Sequence, residues 1–125
     1  MFGFFGGSTQ QGSNQMHYQQ IDDGVAISGQ IHESDVLALA EAGFKSIVCN
    51  RPDAEMGAIP HNAIAEAAKA AGLEFRYIPV GGPGTQNAVG DMAVALKELP
   101  QPLLAYCRSG ARSANLYMVA SEAAR

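Results

Sequence analysis

The chain has 125 residues, with eight Lys and Arg against twelve Asp and Glu, so its net charge is −4. This length suits one domain with a sizeable core, and the charge excludes the basic field that nucleic-acid binding needs. Two cysteines without a paired framework suit a reducing compartment, so we expect a cytoplasmic protein. No Lys or Arg precedes the short apolar stretch at Phe4 and Phe5, so we expect neither a secretory signal nor a membrane span.

Residues 1–17 predict a flexible N-terminal arm, because the stretch from Gly6 to Gln15 is rich in Gly, Ser and Gln. The phenylalanines of this arm are suited to dock on a neighbouring copy of the chain, which would give a homo-oligomer. A disordered tail is the alternative interpretation. These phenylalanines are Phe2, Phe4 and Phe5. Residues 18–125 are expected to form the folded domain.

Four short segments after the arm predict strands, and four longer segments predict helices. The predicted strands cover residues 25–28, 46–49, 74–78 and 103–106. The predicted helices cover residues 35–42, 62–71, 89–99 and 113–124. The expected N-caps are Ser34 and Asn62, and Gly43 and Gly72 follow two of the predicted C-termini. In the first helix, the residues expected to face inward are Val36, Leu37, Leu39 and Ala40.

The alternation of strands and helices predicts an α/β fold with a mainly parallel sheet of four to five strands, flanked by helices on both faces. Binding sites in such a sheet lie at the carboxyl ends of the strands. Three segments directly follow predicted strands and should therefore converge on one rim. They are residues 49–51, residues 80–82 and the segment that begins at Cys107.

Cys107 stands where the last predicted strand ends, and a glycine, two arginines and a helix-forming stretch follow it. The N–H groups of such a loop and of the helix N-terminus form a site for phosphate, sulfate or persulfide. The same field, together with Arg112, should lower the pKa of Cys107 and make its thiol a nucleophile. A buried structural cysteine is the alternative interpretation.

Arg112 is expected to fold back over this loop and bind the substrate anion through both arms of its guanidinium. Arg108 is expected to face solvent or to steer the substrate. Gly110 lets the backbone bend so that successive N–H groups point inward. The other residues predicted to bind substrate are Ser109, Gly110, Ala111, Ser113 and Arg51.

Asp53 follows a predicted strand and is the expected general acid, or a residue that orients the loop. A turn residue is the alternative, and Glu55 and Asp91 are weaker substitutes for the acid. Cys49 has the chemistry to resolve a disulfide or accept sulfur, but a small buried residue is the favoured interpretation. The histidines have no metal-binding spacing, so we expect no metal and no other cofactor. They are His17, His32 and His61.

Five segments together resemble the bacterial DUF442 family, the phosphatase-like domain of beta-lactamase-hydrolase-like proteins. They are residues 27–30 (ISGQ), 42–48 (AGFKSIV), 50–55 (NRPDAE), 77–80 (YIPV) and 106–113 (YCRSGARS). The resemblance extends from Tyr18 to Val119 and implies a dual-specificity-phosphatase-like α/β fold. Some members of the family are described as phosphatases, and others, often linked to sulfide oxidation, as sulfurtransferases.

The Cys107 loop also resembles those of two larger families. Protein tyrosine phosphatases place five residues between the cysteine and the arginine, whereas four separate Cys107 from Arg112, as in the six-residue loop of rhodanese-type sulfurtransferases. Tyr106 replaces the histidine that usually precedes the phosphatase cysteine. Gly81 and Gly82 stand where such phosphatases usually have the aspartate that protonates the leaving group. The 13 residues after Arg112 suffice for one helix but not for the further strand and helix of a rhodanese, so we expect a phosphatase-like fold.

These residues favour a cysteine-dependent, phosphatase-like hydrolase that acts on an anionic, phosphate-type substrate through a thiolate. A rhodanese-like sulfurtransferase that uses thiosulfate or a persulfide is the first alternative, favoured by the short loop and the missing aspartate. A non-enzymatic module that binds an anion or a phosphopeptide is the second. The expected partner is a small anionic substrate or a phosphorylated or persulfidated protein.

Overall fold

The computed structural model describes residues 16–82 and 86–123, which contain a five-stranded sheet and four helices. The strands are β1 (Gln19–Asp22), β2 (Val25–Ser28), β3 (Ser46–Cys49), β4 (Glu74–Tyr77) and β5 (Leu103–Tyr106). The helices are α1 (Glu33–Glu41), α2 (His61–Ala70), α3 (Ala88–Glu98) and α4 (Ala111–Ala123). The order of strands in the sheet is β1-β2-β5-β3-β4. Most of the predicted N-terminal arm, residues 1–15, lies outside the described residues.

Strands β2, β5, β3 and β4 are parallel, and β1 runs antiparallel to β2 at one edge of the sheet. The predicted α/β fold with a mainly parallel sheet is therefore confirmed. Strand β1 was not predicted, because it is largely exposed and begins with two glutamines. It forms through a tight turn in which Gly24 takes a φ of 74°, a conformation that glycine adopts without strain.

The three inner strands are buried on both faces, which explains their continuous apolar sequences. Helices α3 and α4 cover one face and contribute Met92, Ala95 and Leu116 to its core. Helices α1 and α2 cover the other face, where Val36, Leu39 and Ile64 are buried, among others. Because successive residues of each strand point to opposite faces, every inner strand supplies both cores.

The helix bounds differ from prediction at the N-termini of α1 and α2, where other residues provide the caps. His32, and not Ser34, occupies the N-cap of α1, where its N–H donates to the Asp35 carboxylate at 2.8 Å. Helix α2 begins after Pro60, so the prediction of Asn62 as its cap was wrong. Leu37 was predicted to face inward, but it is 60% exposed because it lies on the solvent side of α1.

Helix α4 begins at Ala111, two residues before the predicted start. Its first turn therefore includes Arg112 and Ser113, and its N-terminal N–H groups face the segment after β5. Among residues 16–82 and 86–123, no helix is both long enough and apolar enough to span a bilayer. The same residues contain no cluster of three or more His, Cys, Asp or Glu with the spacing of a metal site.

Candidate active site

The segments that follow the parallel strands continue the hydrogen bonding of the sheet, so they lie side by side at one rim. The Asn50 N–H donates to the Tyr106 carbonyl at 2.8 Å, and the Val80 N–H donates to the Asn50 carbonyl at 2.9 Å. The Cys107 N–H donates to the carbonyl of Ser28 at 3.3 Å. The three segments predicted to converge at the carboxyl ends of the strands therefore do so.

Cys107 is buried at the base of the loop that joins β5 to α4. Its sulfur accepts a hydrogen bond from the Gly110 N–H at 3.1 Å. Burial opposes ionisation, but hydrogen bonds from the backbone and hydroxyl of Ser113 and from the N–H groups of Gly110 and Ser109 outweigh it. The pKa of Cys107 therefore lies below its ordinary value. The loop thus favours a thiolate, the reactive form of cysteine.

Two glycines allow this loop to fold tightly against β2. Gly110 has a φ of 98°, and a Cβ on it would lie 3.2 Å from a methyl carbon of Ile27. A Cβ on Gly29 would lie 2.9 Å from the carbonyl oxygen of Arg108, so a side chain there would push the loop away. The side chain of Arg108 itself is exposed. The tight loop is therefore a consequence of glycine on both sides of the contact.

A buried pair behind the loop links Ser113 to the neighbouring strand end. The Ser113 hydroxyl donates to the Asn50 side-chain oxygen at 2.8 Å, and the Asn50 amide donates to the Ile78 carbonyl at 2.8 Å. A hydroxyl has one hydrogen, so Ser113 donates either to Asn50 or to the Cys107 sulfur at any one time. In the resting structure it donates to Asn50. Formation of the thiolate supplies the competing acceptor.

Arg112 lies beside the loop with one edge of its guanidinium held by the protein. Nη1 and Nη2 donate to the two carboxylate oxygens of Glu55, the second at 2.9 Å, and Nη1 also donates to the Val80 carbonyl at 2.7 Å. Gly81 lines the same edge, and a Cβ on it would lie 3.2 Å from Nη1. The hydrogen bonds and charge of Glu55 raise the pKa of Arg112 further, so the group stays protonated. Nε and the second Nη2 hydrogen, on the opposite edge, are not used by Glu55 or Val80, and the Cys107 sulfur also contributes to the raised pKa of Arg112.

Arg51 lies behind Glu55, where only 5% of its surface is exposed. Its guanidinium donates to Glu55 at 3.1 Å, to the Gln30 side chain at 2.9 Å and to the Met56 carbonyl at 2.7 Å. These partners make Arg51 a support for Glu55, and its predicted contact with substrate stays a prediction. The hydrogen bond from Arg112, followed by that from Arg51, keeps the pKa of Glu55 below its ordinary value.

The sequence predicts Glu55 only as a weak candidate for the acid, and not as the partner of Arg112. The available signal was the spacing, because Glu55 lies four residues after Arg51 in the segment that follows a predicted strand. Its partner Arg112 is 57 residues away in the chain. Only the sheet order, which places β3 next to β5, brings the two together.

Asp53 is held by hydrogen bonds to His61 and Tyr77. Its carboxylate accepts the His61 N–H at 2.8 Å and lies 2.7 Å from Nδ1 of the same residue, so it covers the N-terminus of α2. The Asp53 N–H donates to the Tyr77 hydroxyl at 3.0 Å, and the His61 ring stacks on Tyr77 at 3.8 Å. Both carboxylate oxygens are thus engaged. The role of Asp53 as general acid stays a prediction.

Cys49 is the last residue of β3, and its side chain lies in the core covered by α1 and α2. Its thiol donates to the Arg51 carbonyl at 3.4 Å, and burial raises its pKa. These features suit the predicted small buried residue better than a second reactive thiol. The buried Tyr106 hydroxyl lies next to this thiol and has no well-aligned hydrogen-bond partner among the described residues.

The sequence is similar to that of a known family and of several bacterial proteins. The sequence model of the family described as "Beta-lactamase hydrolase-like protein, phosphatase-like domain" matches residues 17–124. A beta-lactamase hydrolase-like protein of Agrobacterium fabrum is 35% identical over 102 residues, which are 80% of this chain and 24% of that protein. One from Xylella fastidiosa is 34% identical over 82% of this chain and 24% of its own length. The chain thus spans about a quarter of the length of these relatives.

Solved structures share the fold. A proposed phosphatase from Neisseria meningitidis is 31% identical with a TM-score of 0.72, over 82% of this chain and 75% of that one. A proposed phosphatase of DUF442 from Shewanella putrefaciens is 23% identical with a TM-score of 0.71, over 81% and 67% of the two chains. The catalytic core of the PP-IP phosphatase Siw14 from S. cerevisiae is 19% identical with a TM-score of 0.57, over 79% and 60%.

The last two likenesses concern the fold alone, and they confirm the phosphatase-like α/β fold that the sequence predicts. The family match and the Neisseria structure support an enzyme of the phosphatase-like hydrolase class. Since the family model covers nearly the whole described structure, this chain belongs to the family of the beta-lactamase hydrolase-like protein, phosphatase-like domain, known as DUF442.

Proposed function

We propose that this domain is a cysteine-dependent hydrolase of a phosphate-type ester, with the Cys107 thiolate as nucleophile. The observation that carries the proposal is the lowered pKa of Cys107 in a loop whose Gly110 N–H points at the sulfur and whose flank is Arg112. N–H groups aimed at one point, together with an arginine, form a site for a compact anion. A thiolate at the base of such a site is positioned to attack the anion's central atom.

In the proposed reaction the thiolate attacks phosphorus, the bond to the ester oxygen breaks, and a thiophosphate forms on Cys107. The loop N–H groups and the open edge of Arg112 hold the non-bridging oxygens, where negative charge lies in the transition state. Water then attacks phosphorus, which releases inorganic phosphate and restores the thiolate. The Ser113 hydroxyl, which has both Asn50 and the sulfur within reach, is suited to stabilise the thiolate as it leaves.

The leaving group poses a problem for this reaction, because no carboxyl group occupies positions 81–85 of the sequence. Glu55 is engaged by two arginines, and Asp53 by His61. Asp53 remains our candidate acid, and its role requires that it leave His61 when substrate binds. Without a proton donor, the enzyme works best on esters of acidic alcohols such as nitrophenol.

Parallel turnover assays with p-nitrophenyl phosphate and with thiosulfate test the proposal. We expect the ester to turn over, Cys107→Ser to abolish the activity, and Cys49→Ser, the matched control, to retain it. Hydrolysis that survives in Cys107→Ser would refute the assignment of the nucleophile.

The same pair of cysteines suits a reducing compartment, and on that ground we propose the cytoplasm as the location.

Sulfur transfer is the second candidate, favoured by the four-residue spacing between Cys107 and Arg112 and by the missing acid. In that reaction the thiolate attacks the outer sulfur of thiosulfate, sulfite leaves, and a persulfide remains on Cys107 for transfer to an acceptor thiol. A persulfide formed from thiosulfate, with the ester inert, would put this function first. If neither substrate reacts but phosphate protects Cys107 from alkylation, the domain is an anion-binding module.

A further inference from the structure

A groove of about 540 Å³ adjoins the outer side of the Cys107 loop. Ser109, Gly110 and Ala111 of the loop form one wall, and Tyr18, Gln19 and Ile21 of the β1 edge form the facing one. The floor includes Ile27 of β2. The loop and the groove share these three loop residues, and neither Cys107 nor Arg112 lines the groove.

No Lys, Arg, Asp or Glu side chain of the described residues lines this groove, and His17 is its one histidine. The basic side chains of the described structure lie elsewhere or are neutralised. Arg51 and Arg112 share the Glu55 carboxylate, and Arg76 pairs with Glu98. The lysines lie near the amino-terminal ends of the strands, at the rim opposite the Cys107 loop; they are Lys45, Lys69 and Lys97.

Arg108 is therefore the one exposed Lys or Arg side chain that the described part of the rim adds to Arg112. For a ligand with several phosphates, His17 is the one basic side chain that the groove offers. An aromatic or aliphatic body, by contrast, gains from contact with apolar groove residues such as Ile21 and Ala114. The groove and the sparse positive charge of the rim thus both favour a ligand with one anionic group and an uncharged body.

We propose that the substrate is a monoester with a single compact anionic group and an uncharged, aromatic or aliphatic body, and that the body lies in this groove. The inference rests on the proposed function for the position of the anionic group. It separates this domain from enzymes of polyphosphorylated ligands, with which it shares only a fold.

The test compares kcat/KM for 2-naphthyl phosphate and for 4-carboxyphenyl phosphate in the full chain and in two variants. Gln19→Lys places a positive charge in the groove, and Gln20→Lys is the matched control, since Gln20 is the next residue of the same exposed strand but lines a different cavity. Each variant is compared with the wild type on the same ester, so differences in leaving-group acidity cancel.

We expect the wild type to prefer the naphthyl ester, by about 10-fold once leaving-group acidity is taken into account. Gln19→Lys should raise kcat/KM for the carboxylated ester several-fold and leave or lower that for the naphthyl ester, while Gln20→Lys should change neither ratio. Equal effects of the two variants, or no effect of Gln19→Lys on the ratio, would overturn the proposal. An altered sedimentation coefficient of Gln19→Lys with an unchanged ratio would mean that a second copy covers the groove, which also refutes it.

The same comparison is made by binding, so that it does not depend on hydrolysis. Naphthylmethylphosphonate and 4-carboxybenzylphosphonate are tested as protectors of Cys107 against iodoacetamide in all three proteins. If neither ester is hydrolysed but protection follows the expected preference and its shift in Gln19→Lys, the proposed hydrolysis is wrong and the ligand class stands. If the esters are hydrolysed without any such preference, the ligand class is wrong and the hydrolase stands.

Discussion

The Glu55→Gln substitution replaces the carboxylate between Arg51 and Arg112 with a neutral amide of nearly the same shape. The carboxylate accepts three N–H groups, two from Arg112 and one from Arg51. A glutamine oxygen can keep part of this set, but its NH₂ group must face a guanidinium that also only donates. We therefore expect the inner edge of Arg112 to lose its fixed position while the loop and its thiol remain.

The expected loss of activity is larger than the expected loss of stability. Hydrogen bonds to charged groups contribute roughly 1.5–3 kcal/mol, and the 30% exposure of the Glu55 side chain lets water screen them. We therefore expect the free energy of unfolding to fall by about 1–2 kcal/mol. Displacement of a substrate-binding group by ~1 Å costs about 100-fold in rate, so kcat/KM for p-nitrophenyl phosphate should fall by about that factor.

The assay combines urea unfolding with steady-state kinetics at a temperature where both proteins are folded. Protection of Cys107 by phosphate should weaken in parallel with kcat/KM, since the same guanidinium binds the anion. Glu66→Gln, on the exposed side of α2, is the control and should change neither quantity. An unchanged kcat/KM in Glu55→Gln, or an equal loss in Glu66→Gln, would refute the role of Glu55 in holding Arg112.

Three further predictions concern the loop and the proton donor. Because the pKa of Cys107 is lowered, its thiolate persists below the ordinary pKa, so iodoacetamide should react well at pH 6 and more slowly with phosphate present; reaction only above about pH 8 would contradict this. Arg112→Lys, which loses the planar fork, should reduce kcat/KM far more than Arg108→Lys, and equal losses would speak against the assignment. The aryl ester should be cleaved ~10²–10⁴-fold faster than phosphoserine peptides. If Asp53→Asn leaves both rates unchanged, Asp53 is not the acid.

The parallel core of the fold was readable because its signals are local. Residues 46–49 and 103–106 are apolar without interruption, and each leads into a glycine- or proline-containing turn or loop. The sequence of β1 does not predict a strand, because its glutamines break the alternation of apolar and polar residues. Asp23 and Gly24 nevertheless form a typical hairpin turn. That turn, and not the strand's own composition, was the available signal.

The cap of α2 and the contact that holds Arg112 depend on residues that are not neighbours in the sequence. The N-terminus of α2 is covered by Asp53, eight residues before His61, so the local candidate Asn62 was the wrong choice. The pKa of Cys107 is lowered, as expected from the helix N-terminus and Arg112, but the hydrogen bonds that lower it come from Ser113, Gly110 and Ser109. The contact of Glu55 with Arg112 depends on strand order, which single-sequence patterns do not specify.

The absence of a side chain at Gly81 limits how this site can acquire a general acid. Gly81 has a φ of 103°, and any Cβ there would press on the guanidinium of Arg112, so an aspartate at this position would strain the backbone and displace the arginine. Among the described residues, a Cβ on Gly82 would meet Pro52 alone, at an ordinary contact distance of 3.5 Å. A carboxylate introduced at position 82 would therefore disturb the described site less than one introduced at position 81.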